Sequence, residues 1–311
     1  MKPVVFRNKL FVQKYIKDTA MFTKMISPIH AFTNPLTSGK ILLGLAVTAF
    51  LLFAFDHRLK TRKYCLDYNK GIAPLRIAHL SDLHNCRYGK DQERLIQQID
   101  SQSPDLIMFS GDMFSNTDSH SNTEKLFAAL SAKYPCFYAT GNHEYWYGEE
   151  QWQHKKAILD KYGISLLSDA CKTVNINGNN INICGLDDPT APVPADAQVE
   201  QSFDDRLSSV NQSVNNGYYS ILLSHRPEYF KTYTQYDFDL VLCGHAHGGQ
   251  WRIPFLLNGL YAPHQGMIPK YAGGLYEDNK TTMIVSRGLS RWNIIIPRIF
   301  NRPELVIIDI R

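Results

Sequence analysis

Downstream of residue 74 the chain alternates short apolar runs with amphipathic stretches. Residues 75–82 (LRIAHLSD) and 105–112 (DLIMFSGD) are apolar at most positions and end on an acid, the pattern of strands buried on both faces. Residues 91–101 and 149–163 read as amphipathic helices, the second stopping at Gly163, and a third helix is expected near 122–133 behind Ser and Asn capping candidates. Further strands are read in 135–144 (PCFYATGNHE), 218–228 (YYSILLSHRPE) and 239–251 (DLVLCGHAHGGQW), and in the closing runs TTMIVSRG and ELVIIDIR. Residues 173–188 alternate apolar and polar side chains about an Asn/Gly turn, which predicts a hairpin. Strand, loop and helix in repetition predict an α/β fold.

The first quarter of the chain reads differently. Residues 41–55 (ILLGLAVTAFLLFAF) form an apolar run that as a helix rises roughly 22 Å, short of the roughly 30 Å hydrocarbon core unless flanking residues complete the span. A core helix or a signal peptide are the alternatives, but 40 preceding residues make too long a signal n-region and DHRLKTRK offers no small-residue cleavage site. The expected organisation is a tail at 1–40, a single-pass membrane anchor at 41–57, a basic linker at 58–74 and a catalytic domain at 75–311. Arg58, Lys60, Arg62, Lys63 and Lys70 outweigh Lys24 and Lys40 beside the anchor, which favours a cytoplasmic catalytic domain, although counting the whole tail reverses the bias.

Composition narrows the classes. The 311 residues are 44% hydrophobic and 20% charged, enough for a substantial core, and a net charge of +4 gives no reason to expect a nucleic-acid partner. Cys65, Cys86, Cys136, Cys171, Cys184 and Cys243 lack CxxC spacing and are read as buried thiols, with disulfides still permitted by the even number.

The ends of the apolar runs carry the chemistry. Asp82 and His84 lie in SDLH, Asp112 in SGD, Asn142 and His143 in GNHE, His225 in LLSH, and His245 and His247 in GHAH. Singly these are turn or structural residues, but together they place oxygen and imidazole donors at successive strand ends, where α/β sheets bind their ligands. Asp82 and His84 on one side of an extended strand end can reach one ion. Without a thiolate the set reads as an open catalytic site, suited to two divalent cations bridged by a carboxylate. Mn²⁺ fits best, with Zn²⁺ or Fe²⁺ as alternatives.

D-x-H, GD, GNH-E, H and GH-x-H in this order resemble the calcineurin-like metallophosphoesterases over about residues 75–311. Gly248 to Gln250 and the segment 288–305 look closest to their membrane-associated bacterial branch, which includes phosphodiesterases and UDP-2,3-diacylglucosamine diphosphatases of lipid A synthesis. The resemblance implies a four-layer α/β/β/α sandwich. It implies that Asp82, His84 and His247 hold one metal, that Asn142, His225 and His245 hold the other, and that Asp112 bridges them. Glu144 stands where many relatives have Asp.

The reaction this implies is hydrolysis of a phosphodiester or pyrophosphate by metal-activated hydroxide, with His143 as general acid or phosphate-stabilising residue. Glu144 and Asp188 are read as carboxylates orienting histidines, and Arg226 and Arg298 as phosphate or substrate contacts. A bilayer partner and a lipid-linked substrate such as UDP-2,3-diacylglucosamine are expected from the anchor, the basic stretch and the aromatic segment YWYGEEQW. The alternatives are a phosphodiesterase on soluble substrates and a non-catalytic scaffold of the same fold.

Overall fold

A computed structural model describes residues 35–67, 72–115, 119–192, 202–291 and 297–311. The chain divides into two units, Met1–Ala54 and Phe55–Arg311. The tail expected at 1–40 lies outside the described residues as far as residue 34, as do Lys70 of the expected linker and residues 292–296 of the closing segment.

In the first unit the described residues form one helix, Pro35–Ala54. No helix among the described residues is long and apolar enough to cross a membrane, which overturns the expected single-pass placement with a cytoplasmic catalytic domain. The physical reason is length. Pro35, Thr37, Ser38, Gly39 and Lys40 occupy the first turns, and from Ile41 to Ala54 the helix rises only about 21 Å.

In the second unit fourteen strands are described, and twelve of them form two mixed sheets. The first sheet contains β1 (Lys60–Leu66), β2 (Leu75–Leu80), β3 (Leu106–Ser110), β4 (Cys136–Ala139) and β5 (Ser165–Leu166). The second begins with the hairpin β6 (Ala170–Ile176) and β7 (Asn179–Leu186), then β8 (Tyr219–Ser224) and β9 (Leu240–Cys243). After the small hairpin β10 (Tyr261–Ala262) and β11 (Gly266–Met267), β12 (Gly274–Asp278) and β13 (Thr281–Val285) complete it. β14 (Glu304–Ile310) returns to the first sheet. The orders are β1-β14-β2-β3-β4-β5 and β12-β13-β9-β8-β7-β6.

β2 through β5 run parallel, as do β7, β8, β9 and β13, so their C-terminal ends gather at one edge of each sheet. The inner faces share one apolar layer, with Ile77, Met108 and Val306 against Ile183, Ile221 and Ile284. Outside the first sheet lie helices Glu93–Asp100, Ser121–Ser131 and Glu149–Lys161, packed through Leu95, Phe127 and Ile158. Outside the second, Leu207, Val210 and Phe230 of helices Phe203–Gln212 and Phe230–Tyr233 cover the other face. The strands read as continuous apolar runs because both of their faces are covered.

One expectation changes. Residues 60–66, expected in a linker, pair in parallel with β14 as an edge strand in which Lys60, Lys63 and Cys65 are exposed and the other four residues are half-buried. Cys171 and Cys184 are directly opposite each other across β6 and β7 and form a disulfide, the alternative that the even number of cysteines left open. Of the free cysteines, Cys136 and Cys243 are buried, Cys86 is half-buried and Cys65 is exposed.

Candidate metal centre

Each sheet delivers its polar residues just past a strand end. Asp82 and His84 follow β2, Asp112 follows β3, Asn142 follows β4, His225 follows β8, and His245 and His247 follow β9. Five of these seven have left-handed backbones: Asp82 (φ 52°), His84 (47°), Asp112 (54°), His245 (67°) and His247 (47°). Side chains other than glycine rarely adopt that region, and such outliers concentrate where function fixes a geometry. Asp82 and His84 therefore do not share one side of an extended strand; two sharp bends bring them to the site. Glycine lets the corners meet. A Cβ at Gly141 would lie 2.3 Å from Asp112 Oδ1, and one at Gly244 would lie 2.5 Å from Asp82 Oδ2.

The side chains converge on the Asp112 carboxylate. Its Oδ2 is 3.1 Å from His225 Nε2, 3.8 Å from His84 Nε2 and 3.9 Å from His143 Nε2. Asp82 Oδ1 is 3.6 Å from His247 Nε2 and 3.9 Å from His225 Nε2. Potential ligand atoms of Asp82, His84 and His247 lie within 4.8 Å of one another, and so do those of Asp112, His225 and His245.

These residues fit divalent metal. The His225 ring is fully buried and its Nδ1 is 2.7 Å from the Ser110 carbonyl, an acceptor, so Nδ1 donates and a neutral ring turns the Nε2 lone pair toward Asp112. A contact of 3.1 Å with Asp112 needs positive charge between or beside the two atoms, which either a proton on the ring or a divalent cation supplies. Asn142 Oδ1 is likewise buried without a hydrogen-bond partner.

Electrostatics agree. Burial opposes charge on His225, yet Asp112, followed by Asp82 and Asp188, raises its pKa to about 10, so this pocket favours positive charge. Burial pushes the Asp112 carboxyl up, but His225 and His143 hold it well below the usual range. Burial lowers His84 to about 3 and takes His245 and His247 well below the ordinary value, leaving neutral rings with lone pairs for metal.

The residues around the cluster hold it in place. Glu144 is fully buried and its carboxylate accepts from Asp112 N (2.9 Å), Gly141 N (2.6 Å) and Tyr138 Oη (2.8 Å), joining the β3 and β4 corners. Asn142 and His143 lie on the short helix Asn142–Tyr145 rather than on the extended strand expected for 135–144. His143 N donates to Asp112 Oδ1 (2.9 Å), and Lys155 Nζ reaches the carbonyl oxygens of His143 (2.7 Å) and Glu144 (3.0 Å). Asp188 forms a two-bond pair with Arg226 at 2.5 and 2.9 Å. Arg226 is buried, with Nη1 3.1 Å from His245 Nε2 and 2.6 Å from His264 Nδ1. Arg298 is also buried, donating to the carbonyls of Arg287 (2.7 Å) and His247 (3.4 Å), so it braces the corner carrying His247.

Two further neighbours border the cluster. Trp146, in the aromatic segment 145–152, stacks on His143, and His264, which no sequence signal marked, places Nδ1 2.9 Å from His245 Nε2. His264 comes from a loop that follows no long apolar run, so only the fold brings it here.

A family profile described as calcineurin-like phosphoesterase matches residues 75–249. The uncharacterized metallophosphoesterase YkuE of Bacillus subtilis is 27% identical over 82% of this chain and 86% of its own length. Phosphodiesterase YaeI of Escherichia coli is 26% identical over 78% of this chain and 84% of its length. UDP-2,3-diacylglucosamine pyrophosphatase LpxG of Chlamydia muridarum is 25% identical over 75% of this chain and 82% of its length.

Proposed function

The chain belongs to the calcineurin-like phosphoesterase family and is a hydrolase of phosphoester bonds, and we propose that it cleaves a phosphodiester or pyrophosphate bond at the cluster centred on Asp112. In this reading Asp82, His84 and His247 hold one divalent ion, Asn142, His225 and His245 hold the other, and Asp112 serves both. Nitrogen and oxygen donors without a thiolate suit Mn²⁺, Fe²⁺ or Zn²⁺. When bound, such ions supply Lewis acidity toward the phosphoryl group and an activated water.

The protein's own groups do the rest. Ser110 fixes the His225 tautomer through its carbonyl, so that Nε2 faces the site. Glu144 ties the Asp112 and Asn142 corners together and holds the bridging carboxylate still. His143 brings Nε2 to 3.9 Å from Asp112 Oδ2, and its backbone N donates to Oδ1 of that carboxylate. Its ring therefore borders the pocket as the group that hands a proton to the leaving oxygen.

The observation that carries this reading is the convergence of two donor groups, Asp82, His84 and His247 and then Asp112, His225 and His245, each with its ligand atoms within 4.8 Å of one another. A lipid-linked pyrophosphate is the narrower substrate, supported by similarity to the pyrophosphatase LpxG, while similarity to YaeI supports a phosphodiester. The test uses the full chain, stripped of metal and reloaded with Mn²⁺, on bis-p-nitrophenyl phosphate and UDP-2,3-diacylglucosamine. Metal-dependent turnover that Asp112→Ala abolishes is expected. Folded, metal-loaded protein that turns over neither substrate would overturn the proposal and leave a scaffold of the same fold.

A further inference from the structure

The large apolar side chains exposed to water in the unit Phe55–Arg311 are concentrated beside the metal centre. Among the described residues of this unit, all but Phe55 and Tyr218 lie in two segments. One is Trp146 and Tyr147, which follow the helical turn carrying Asn142 and His143. The other spans 251–268 and begins one residue beyond Gln250, at the corner that carries His247. In it Phe255 is fully exposed, and Leu256 (85%), Ile268 (69%) and Met267 (64%) are nearly as open.

This second segment is a built arm. Leu260 N donates to the carbonyls of Gly249 (2.9 Å) and Trp251 (2.8 Å), Ile268 N donates to Leu260 O (2.7 Å), and Ile253 bridges Leu257 across the turn that carries Phe255 and Leu256. At its base Gly249 and Gly259 approach so closely that a Cβ on Gly249 would lie 2.3 Å from Gly259 Cα. From the loop between β10 and β11, His264 reaches His245 Nε2 (2.9 Å) and Arg226 Nη1 (2.6 Å). The arm is thus fixed to the metal-bearing corner while its apolar tips stand in water, an arrangement that marks a binding surface.

The phosphate of a substrate must reach the metal centre, and both apolar segments start at corners of that centre, next to where the rest of the molecule must lie. Residues 251–268 contain Arg252 and no Asp or Glu, a charge balance that accepts an anionic amphiphile. We propose that the 251–268 arm is the recognition surface for the hydrocarbon part of an amphiphilic phosphoester whose phosphate is cleaved at the metal centre. The inference rests on the phosphoesterase reading and specifies how that site selects its substrate.

The test uses the full chain loaded with Mn²⁺ and p-nitrophenyl phosphodiesters bearing butyl, octyl or dodecyl chains, each below its micelle concentration. With one leaving group throughout, kcat/KM should rise about 10-fold or more from butyl to dodecyl, a fraction of what full burial of the added methylenes allows. In Phe255→Ser/Leu256→Ser and in Ile268→Ser that gain should fall below about 3-fold, while turnover of bis-p-nitrophenyl phosphate stays at the wild-type rate. Equal chain-length dependence in wild type and both variants would overturn the proposal. So would an arm-dependent dimer in sedimentation, or arm-dependent binding to phosphatidylglycerol vesicles, without any chain-length effect on monomeric substrates. If neither bis-p-nitrophenyl phosphate nor UDP-2,3-diacylglucosamine is turned over, the phosphoesterase reading fails separately. Tryptophan fluorescence titrated with dodecyl and butyl phosphate then decides the arm: tighter dodecyl binding lost in the variants supports it, and equal affinities sink it.

Discussion

The Trp146 indole lies face to face with the His143 imidazole, ring centroids 3.8 Å apart and planes 26° from parallel. The indole is 43% exposed and the imidazole meets the His84 ring edge-on at 4.5 Å, so the stack fixes the ring of His143 from its solvent side. Such a stack is worth about 0.5–1.5 kcal/mol, or roughly 2- to 12-fold in rate if it is used to orient a proton donor. Trp146→Ala should lower kcat by that factor on diesters with alkyl leaving groups and leave KM unchanged. Trp146→Phe should restore most of the loss. A p-nitrophenolate leaving group needs little protonation, so its turnover should barely change; an equal loss on both substrate types would refute the orienting role.

Gly141 has an extended backbone, so the case for glycine there is steric. An added methyl would lie 2.3 Å from Asp112 Oδ1 and 2.8 Å from Asp112 N, pushing the Asp112 carboxylate off its partners. Displacing a ligand's support typically costs about 10- to 100-fold in metal affinity. Gly141→Ala should show that loss in competition with a metallochromic chelator. Gly44→Ala, where nothing lies within 4 Å, is the control and should bind metal like the wild type.

Asp188 and Arg226 form a buried pair, and the Asp188 carboxyl, pushed up by burial, is held below its ordinary value by Arg226. Removing one partner strands a buried charge, at a cost of about 3–5 kcal/mol. Asp188→Ala and Arg226→Met should each show a loss of that size in urea unfolding. The double variant should be less destabilised than the sum, because it strands neither charge; strict additivity would show that the pair is not coupled.

The site was legible because its residues sit at the ends of apolar runs. LRIAHL, LIMF and LVLC read as strands for the same reason that they are buried on both faces, and the polar residue after each run had to fall at a sheet edge. The backbone at that edge was not legible. Asp82, His84, Asp112, His245 and His247 take left-handed conformations with side chains that rarely do so, and local propensity gives no warning of this. Residues 60–66 read as a linker because a basic, partly exposed edge strand lacks the apolar run that marked the others. The pairing of Cys171 and Cys184 stayed open until the β6/β7 register placed them opposite each other. His264 reaches His245 through a loop, a contact set by tertiary structure alone.

Asp56 gives a dependence on pH that lies apart from the metal centre. It accepts from Arg58 N (3.0 Å), Nε (2.9 Å) and Nη2 (2.9 Å), and Arg302 Nη1 is 3.4 Å away. The Arg58 guanidinium is the largest influence, partial burial opposes it, and the Arg58 amide and Arg302 add to it, bringing the Asp56 carboxyl from 3.8 down to about 2. A carboxyl depressed on folding contributes stability that is present above its unfolded value and is lost as pH falls through the folded one. The window for Asp56 therefore runs from about pH 4 down to about pH 2. Because solvent screens this pair, its contribution is about 1 kcal/mol rather than the full value of the shift. Urea unfolding of wild type and Asp56→Asn should differ by about that amount at pH 6, and the two should converge by pH 2. A gap that persists unchanged to pH 2 would mean that Asp56 acts through packing or neutral hydrogen bonds, and the charge on its carboxylate would then play no part in holding Arg58 and Arg302 together.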